Sequence, residues 1–145
     1  MQLKKILTVS LITLFCSAPI LFASGSEGAQ PCSGNRCNGG DPKTTGCNED
    51  AYTFTQTTGS YFDWGSQTIV IELRYSLKCQ AVWTKAGRLK ANDSSIWLQN
   101  RDGKKLTVYS PSKNGTYYGN MWQKETGTKA CANVGNQSWC TDGMP

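Results

Sequence analysis

Between Thr68 and Ser76 the apolar residues Ile69, Ile71, Leu73 and Tyr75 alternate with Val70, Glu72, Arg74 and Ser76, the two-residue period of a strand that buries one face. A short turn at Leu77 and Lys78 follows. Cys79, Ala81 and Trp83 then alternate with Gln80, Val82 and Thr84, which predicts an antiparallel partner and a hairpin. A second hairpin centres on Asn100, Arg101, Asp102 and Gly103, residues that suit a type I turn with Gly103 in the left-handed region. A three-residue loop there pairs Leu98 with Leu106 and Ile96 with Val108, gathering one apolar face and leaving Trp97, Gln99, Thr107 and Tyr109 opposite. A two-residue loop would mix apolar and polar residues on both faces, so the longer loop is expected.

The remaining pattern is weaker but of the same kind. Ala51 to Thr58 predicts a short Thr-rich strand, followed by an aromatic-rich turn at Tyr61, Phe62 and Trp64. Thr116 to Gln123 and Thr128 to Val134 predict two more strands, and Ser138 to Pro145 reads as a tail held by Cys140. From Ser24 to Asp50 the chain is Gly, Ser, Asn, Pro and Cys without hydrophobic periodicity, a loop that cross-links must order. No helical period exceeds a turn. The expected fold is all-β, a small disulfide-stapled sandwich or barrel of six or seven strands with a loop-rich N-terminal segment.

The first residues change where this domain is expected to work. Lys4 and Lys5 precede an apolar run from Ile6 to Phe22, broken by Pro19 and closed by Ala23, Ser24 and Gly25, the layout of a cleavable signal peptide. Residues 1–25 are therefore expected to be removed and residues 26–145 to form one secreted domain, extracellular or wall-associated, with no stable membrane insertion after cleavage. Cys16 lacks the small preceding residue that lipidation wants and reads as leader filling. The leader carries two of the fifteen basic residues and none of the ten acidic ones, leaving a mild excess of +3. That balance does not argue for a nucleic-acid partner and suits loose contact with cell-wall polymers.

Without Cys16 six cysteines remain: Cys32, Cys37, Cys47, Cys79, Cys131 and Cys140. An even set in a small exported domain reads as three disulfides, and the absence of histidine disfavours a mixed zinc site, so no metal or cofactor is expected. Of the fifteen possible pairings, Cys32 with Cys37, Cys47 with Cys79, and Cys131 with Cys140 is the expected one. Two of these close short loops, and the third ties the N-terminal loop to the first hairpin.

The spacing Cys32-x4-Cys37-x-Gly39-x-Asp41-Pro42-x3-Gly46-Cys47-x2-Asp50-Ala51-x-Thr53, followed by Glu72-Leu73-Arg74-Tyr75-Ser76-x2-Cys79-x-Ala81-x-Trp83, resembles a family of small secreted bacterial proteins. That family is catalogued as a domain of unknown function, number 2690 in its series, and includes YjfA-like proteins. Tyr118 to Met121, Ala130-Cys131 and Cys140-Thr141 are similar to its later pattern. The chain departs from many relatives by an extra Gly40 and by Thr84-Lys85 after the tryptophan. The resemblance implies export and a stapled β domain and carries no reaction.

Three groups of residues carry candidate chemistry. Asp41, Glu49 and Asp50 in the cross-linked loop offer oxygen ligands of the kind calcium takes, without the cadence of a calcium motif. The plainer reading makes Asp41 a turn cap and Asp50 a backbone acceptor. Trp97 and Tyr109, with Lys105 nearby, lie on the non-core face in the expected register and form a platform for sugar rings, unless another sheet or the loop with Tyr61, Phe62 and Trp64 covers them. Asp63 and Glu72 are the carboxylate pair a glycosidase would need, but with no histidine and no unpaired cysteine no catalytic residue is assigned. Three Asn-x-Ser/Thr sequons at Asn92, Asn114 and Asn136 mark polar turns. The expected function is a secreted binding or interaction module for a cell-wall polymer or glycan, with a secreted polysaccharide hydrolase as the alternative and a structural envelope protein behind it. Oligomeric state is left open.

Overall fold

The computed structural model describes residues 32–145; the expected signal peptide, its cleavage site and Cys16 lie outside the described residues. Nine strands follow one short 3-10 turn at Gly34–Cys37: β1 (Tyr52–Phe62), β2 (Ser66–Ser76), β3 (Ala81–Leu89), β4 (Ser94–Gln99), β5 (Lys105–Tyr109), β6 (Gly115–Tyr118), β7 (Trp122–Gln123), β8 (Lys129–Val134) and β9 (Gln137–Cys140). One sheet runs β1-β2-β3-β6 with β7 also paired to β3, and the other runs β5-β4-β8-β9. The result is an open two-sheet sandwich rather than a closed barrel. No helix among the described residues is long and apolar enough to cross a membrane.

The count exceeds the six or seven strands expected for two reasons. The run from Thr116 to Gln123 is interrupted where Gly119 donates to the Thr84 carbonyl and Met121 to the Gly40 carbonyl, so it meets β3 as two separate strands. The tail contains a further strand, β9, because Cys140 stands directly opposite Cys131 on β8 and their disulfide joins the two strands. Beyond β9 the chain folds back, Met144 donating to Thr128 and burying its side chain in the core.

The alternation of β2 is realised from Ile69 to Tyr75, whereas Ser76 is buried although it stands on the opposite face. Ile69, Ile71 and Leu73 are completely buried, facing Ile96 and Leu98 of β4 and Ala130 and Ala132 of β8 across the sandwich. Each such aliphatic side chain stabilises the fold by about 1.5–3 kcal/mol on removal from water. Strand β3 is buried on both faces: Val82 and Ala86 look into that core, whereas Ala81 and Trp83 look outward beneath the N-terminal segment.

That segment therefore forms a third layer. Cys37, Cys47, Cys79 and Met121 surround Trp83, and the segment is tied down by Gly34 donating to the Cys79 carbonyl and Gly39 to the Met121 carbonyl. The disulfides are Cys32–Cys37, Cys47–Cys79 and Cys131–Cys140. Asp50 adds a polar tie, accepting from Ser76 Oγ at 2.6 Å and from Lys78 N at 2.9 Å. The motif residues that carry the family resemblance thus hold this layer on the sheet.

The second hairpin keeps the expected loop and departs from the expected register. Asn100 and Lys104 close the loop, Gly103 takes φ of +83°, and Gln99 stands opposite Lys105. The next pairs are Leu98 with Thr107, Trp97 with Val108 and Ile96 with Tyr109, so Leu106 is an extra residue in a bulge. One inserted residue exchanges the faces of everything beyond it. Val108 is turned out to 58% exposure, while Tyr109 is swung towards Tyr117, 5.5 Å away between ring centroids. The larger ring gains more contact there than valine would.

Candidate functional site

The β1–β2 hairpin is longer than its sequence suggests, because β1 continues through Gly59 to Phe62. Gly59 is required there: a Cβ would fall 2.3 Å from the indole of Trp139, which lies against β1 from the other sheet. The hairpin ends where Phe62 pairs with Ser66 around a three-residue loop of Asp63, Trp64 and Gly65. Trp64 adopts φ of +49°, a left-handed conformation that costs roughly 1–2 kcal/mol for a residue with a Cβ. Trp64 is fully exposed and Phe62 is 85% exposed. Neither packing nor backbone preference accounts for a tryptophan at this position.

Polar hollows surround the base of this aromatic tip. One of them, about 230 Å³, is lined by Tyr61, Asp63, Gln67, Arg88 and Asn114 among others. Tyr61 donates its hydroxyl to the Arg88 carbonyl, which fixes the ring as one wall. Lys90 lies 3.5 Å from Asp63 and 3.7 Å from Asp93, so one cation is shared by two carboxylates, and with Arg88 in the same hollow the end of the sandwich is close to charge balance. A shallower hollow of about 500 Å³, lined by Asn92, Asp93, Ser95, Asn133 and Asn136, extends the same end with hydroxyl and amide groups. A third recess, about 260 Å³, lies beside β6 and is walled by Tyr109, Tyr117 and Tyr118 with Asp41, Lys43 and Asn120.

The residues singled out in the sequence are distributed differently from expectation. Trp97 is buried, at 5% exposure, with Lys105 Nζ 3.9 Å above its ring and its indole N–H donating to Gln99 Oε1. The Lys105 ammonium and the Gln99 amide thus lie against it, whereas Phe62 and Trp64 stand in solvent. Tyr109 lies on the opposite face, so Lys105 and Trp97 are brought together while Trp97 and Tyr109 are not. Tyr61, Phe62 and Trp64 were legible only as an aromatic turn; the signal available was two large aromatics flanking Asp63 immediately before Gly65.

The carboxylates are occupied individually. Asp41 accepts from Lys43 N at 2.7 Å, capping its own turn, and Asp50 makes the tie described above, so they and Glu49 do not converge. The one group of metal-capable side chains among the described residues is Cys32, Cys37, Cys47 and Cys79, whose sulfurs are paired in disulfides. Asp63 sits in the tip, and Glu72 lies six residues along β2 from Ser66, about 20 Å at the rise of a strand. Glycosidase carboxylates stand at most about 9.5 Å apart, so these two do not form a catalytic pair.

Glu72 is instead the centre of a polar network on the outer face of β2. It accepts from Lys85 Nζ at 2.6 Å and from Thr53 Oγ1 at 2.5 Å, with Arg74 Nη1 at 3.4 Å. Burial pushes its carboxyl up, but the hydrogen bonds from Lys85 and Thr53 and the two positive charges outweigh this and hold it below its ordinary 4.5. Asp50 is likewise lowered, burial being overcome by its bonds from Ser76 and Lys78. A carboxylate depressed in the folded state stabilises above its unfolded pKa, and that contribution disappears as pH falls through the folded value. Thermal melts between neutrality and strong acid should therefore show stability declining below about pH 4.5. Glu72→Gln should flatten part of that decline, and an unchanged acid limb would refute the role given to the network.

A family model described as "Protein of unknown function (DUF2690)" matches residues 35–135, well over half of the chain. No curated protein and no solved structure matches it.

Proposed function

The chain belongs to the DUF2690 family, a membership that brings no reaction with it, and we propose from its surface chemistry that it is an extracellular binding module for a cell-wall polymer or glycan. The observation that carries this reading is the full exposure of Trp64, in a costly backbone conformation, beside Phe62 and above hollows rich in hydroxyl and amide groups. Sugar rings present apolar C–H faces and hydroxyl rims. Aromatic side chains match the former and short polar side chains the latter. The three disulfides support an oxidising compartment, as does the signal-like start of the sequence.

Retention of the purified chain on a panel of insoluble wall fractions and polysaccharides tests the reading. The wild type should bind at least one saturably. The double substitution Phe62→Ala with Trp64→Ala should reduce that affinity at least about tenfold, the effect of losing an aromatic anchor at an interface. Its melting temperature should hardly move, since exposed rings contribute little to folding. Absence of retention together with turnover of any polysaccharide would replace the module by a hydrolase.

A further inference from the structure

Two of the hollows share one strand. Asn114 and Gly115 line the hollow behind the aromatic tip, and the next three residues, Thr116, Tyr117 and Tyr118, line the tyrosine recess. From Gly115 to Tyr118 β6 advances by about 10 Å. Resting on the binding-module reading, we infer that these hollows are successive subsites of one groove along β6, and that the groove takes an uncharged linear glycan in extended form.

The second subsite has its own aromatic floor. Tyr109 from β5 packs on Tyr117 from β6, bridging the neighbouring edges of the two sheets. Tyr118 is backed by Lys43 Nζ at 4.2 Å from its ring centroid, so its orientation is set by the N-terminal layer. This arrangement exists because the bulge at Leu106 swings Tyr109 to that side. With the expected register the recess would have lost one wall.

The charges along the groove select against a polyanion. The cations Arg88 and Lys90 of the first hollow are offset by Asp63 and Asp93, both within 3.7 Å of Lys90, and Asp41 stands in the same recess as Lys43. A phosphate-rich wall polymer or a nucleic acid needs a surplus of positive charge, and its binding falls steeply with salt. Neutral hydroxyl-rich chains need only the hydrogen-bonding groups present. Because both hollows are small and neither is deep, occupancy of both by one chain raises affinity through effective concentration rather than through new contacts.

Binding of N-acetylglucosamine and glucose oligomers of one to six units, measured calorimetrically beside a wall teichoic acid at low and moderate salt, tests the inference. Affinity should rise at least about tenfold between the dimer and the hexamer of one series and change little with salt. Tyr109→Ala, or Asn120→Ala as a second probe at an exposed position, should remove that gain while leaving short-oligomer binding intact. Phe62→Ala with Trp64→Ala should weaken every length. Length-independent binding that still requires Trp64 would overturn the two-subsite groove and leave the binding-module reading standing, as would salt-sensitive preference for the teichoic acid. Failure of every glycan and wall fraction to bind would overturn both.

Discussion

Replacing Cys47 and Cys79 together with alanine is expected to lower the unfolding free energy by about 4 kcal/mol, the largest loss among the three disulfides. The bridge closes a loop of 32 residues, against 5 for Cys32–Cys37 and 9 for Cys131–Cys140. The same chain-entropy relation assigns those shorter loops about 2 and about 2.6 kcal/mol. Position adds to length. Both sulfurs are fully buried against Trp83, and this bridge joins the N-terminal layer to the start of β3. Its loss frees a layer that covers a completely buried indole. Denaturant unfolding of the three double-alanine variants should rank Cys47–Cys79 as the most damaging, with its melting temperature down by more than about 10 °C. A variant that melts within a few degrees of the wild type would mean that the hydrogen bonds of the layer suffice without the staple.

Trp97→Ala should cost about 3–5 kcal/mol, the range for deleting a buried aromatic side chain. From the sequence alone this tryptophan belongs to an accessible platform, and its removal would barely touch stability. At 5% exposure, under Lys105, it is a packing residue. Leu98→Ala, on the opposite face and completely buried, should cost about 2–5 kcal/mol through the cavity it leaves. Trp64→Ala should change stability by no more than about 0.5 kcal/mol. Chemical denaturation of these three variants separates the two structural residues from the projecting one. A Trp97→Ala variant as stable as the Trp64→Ala variant would contradict the burial described here.

Much of the framework could be read along the chain. The alternation from Ile69 to Tyr75 marks the buried face of β2 because a strand's period is two whatever it packs against. The loop at Asn100 to Gly103 was legible because its backbone demands are local and Gly103 meets them. Short separations made Cys32–Cys37 and Cys131–Cys140 plausible pairs, and the structure has them. The bulge at Leu106 was not legible, since it depends on whether Tyr109 or Val108 packs better beside Tyr117, which belongs to the other sheet.

The candidate site divides in the same way. Tyr61, Phe62 and Trp64 stand out as aromatics near a turn, but an aromatic side chain reads identically whether it fills a core or projects from it. Trp83, Trp97 and Trp64 show the outcomes: one sealed beneath the disulfide layer, one capped by a lysine, one entirely in solvent. By itself the sequence determined the class of fold, the β2 face, the turn and the cross-link spacing, because each is encoded by residues close together or by cysteine chemistry. Only the tertiary structure decided which faces were covered, which register β5 adopted and which aromatics remained free, because burial is a property of two surfaces meeting and the second surface comes from residues far away in the chain.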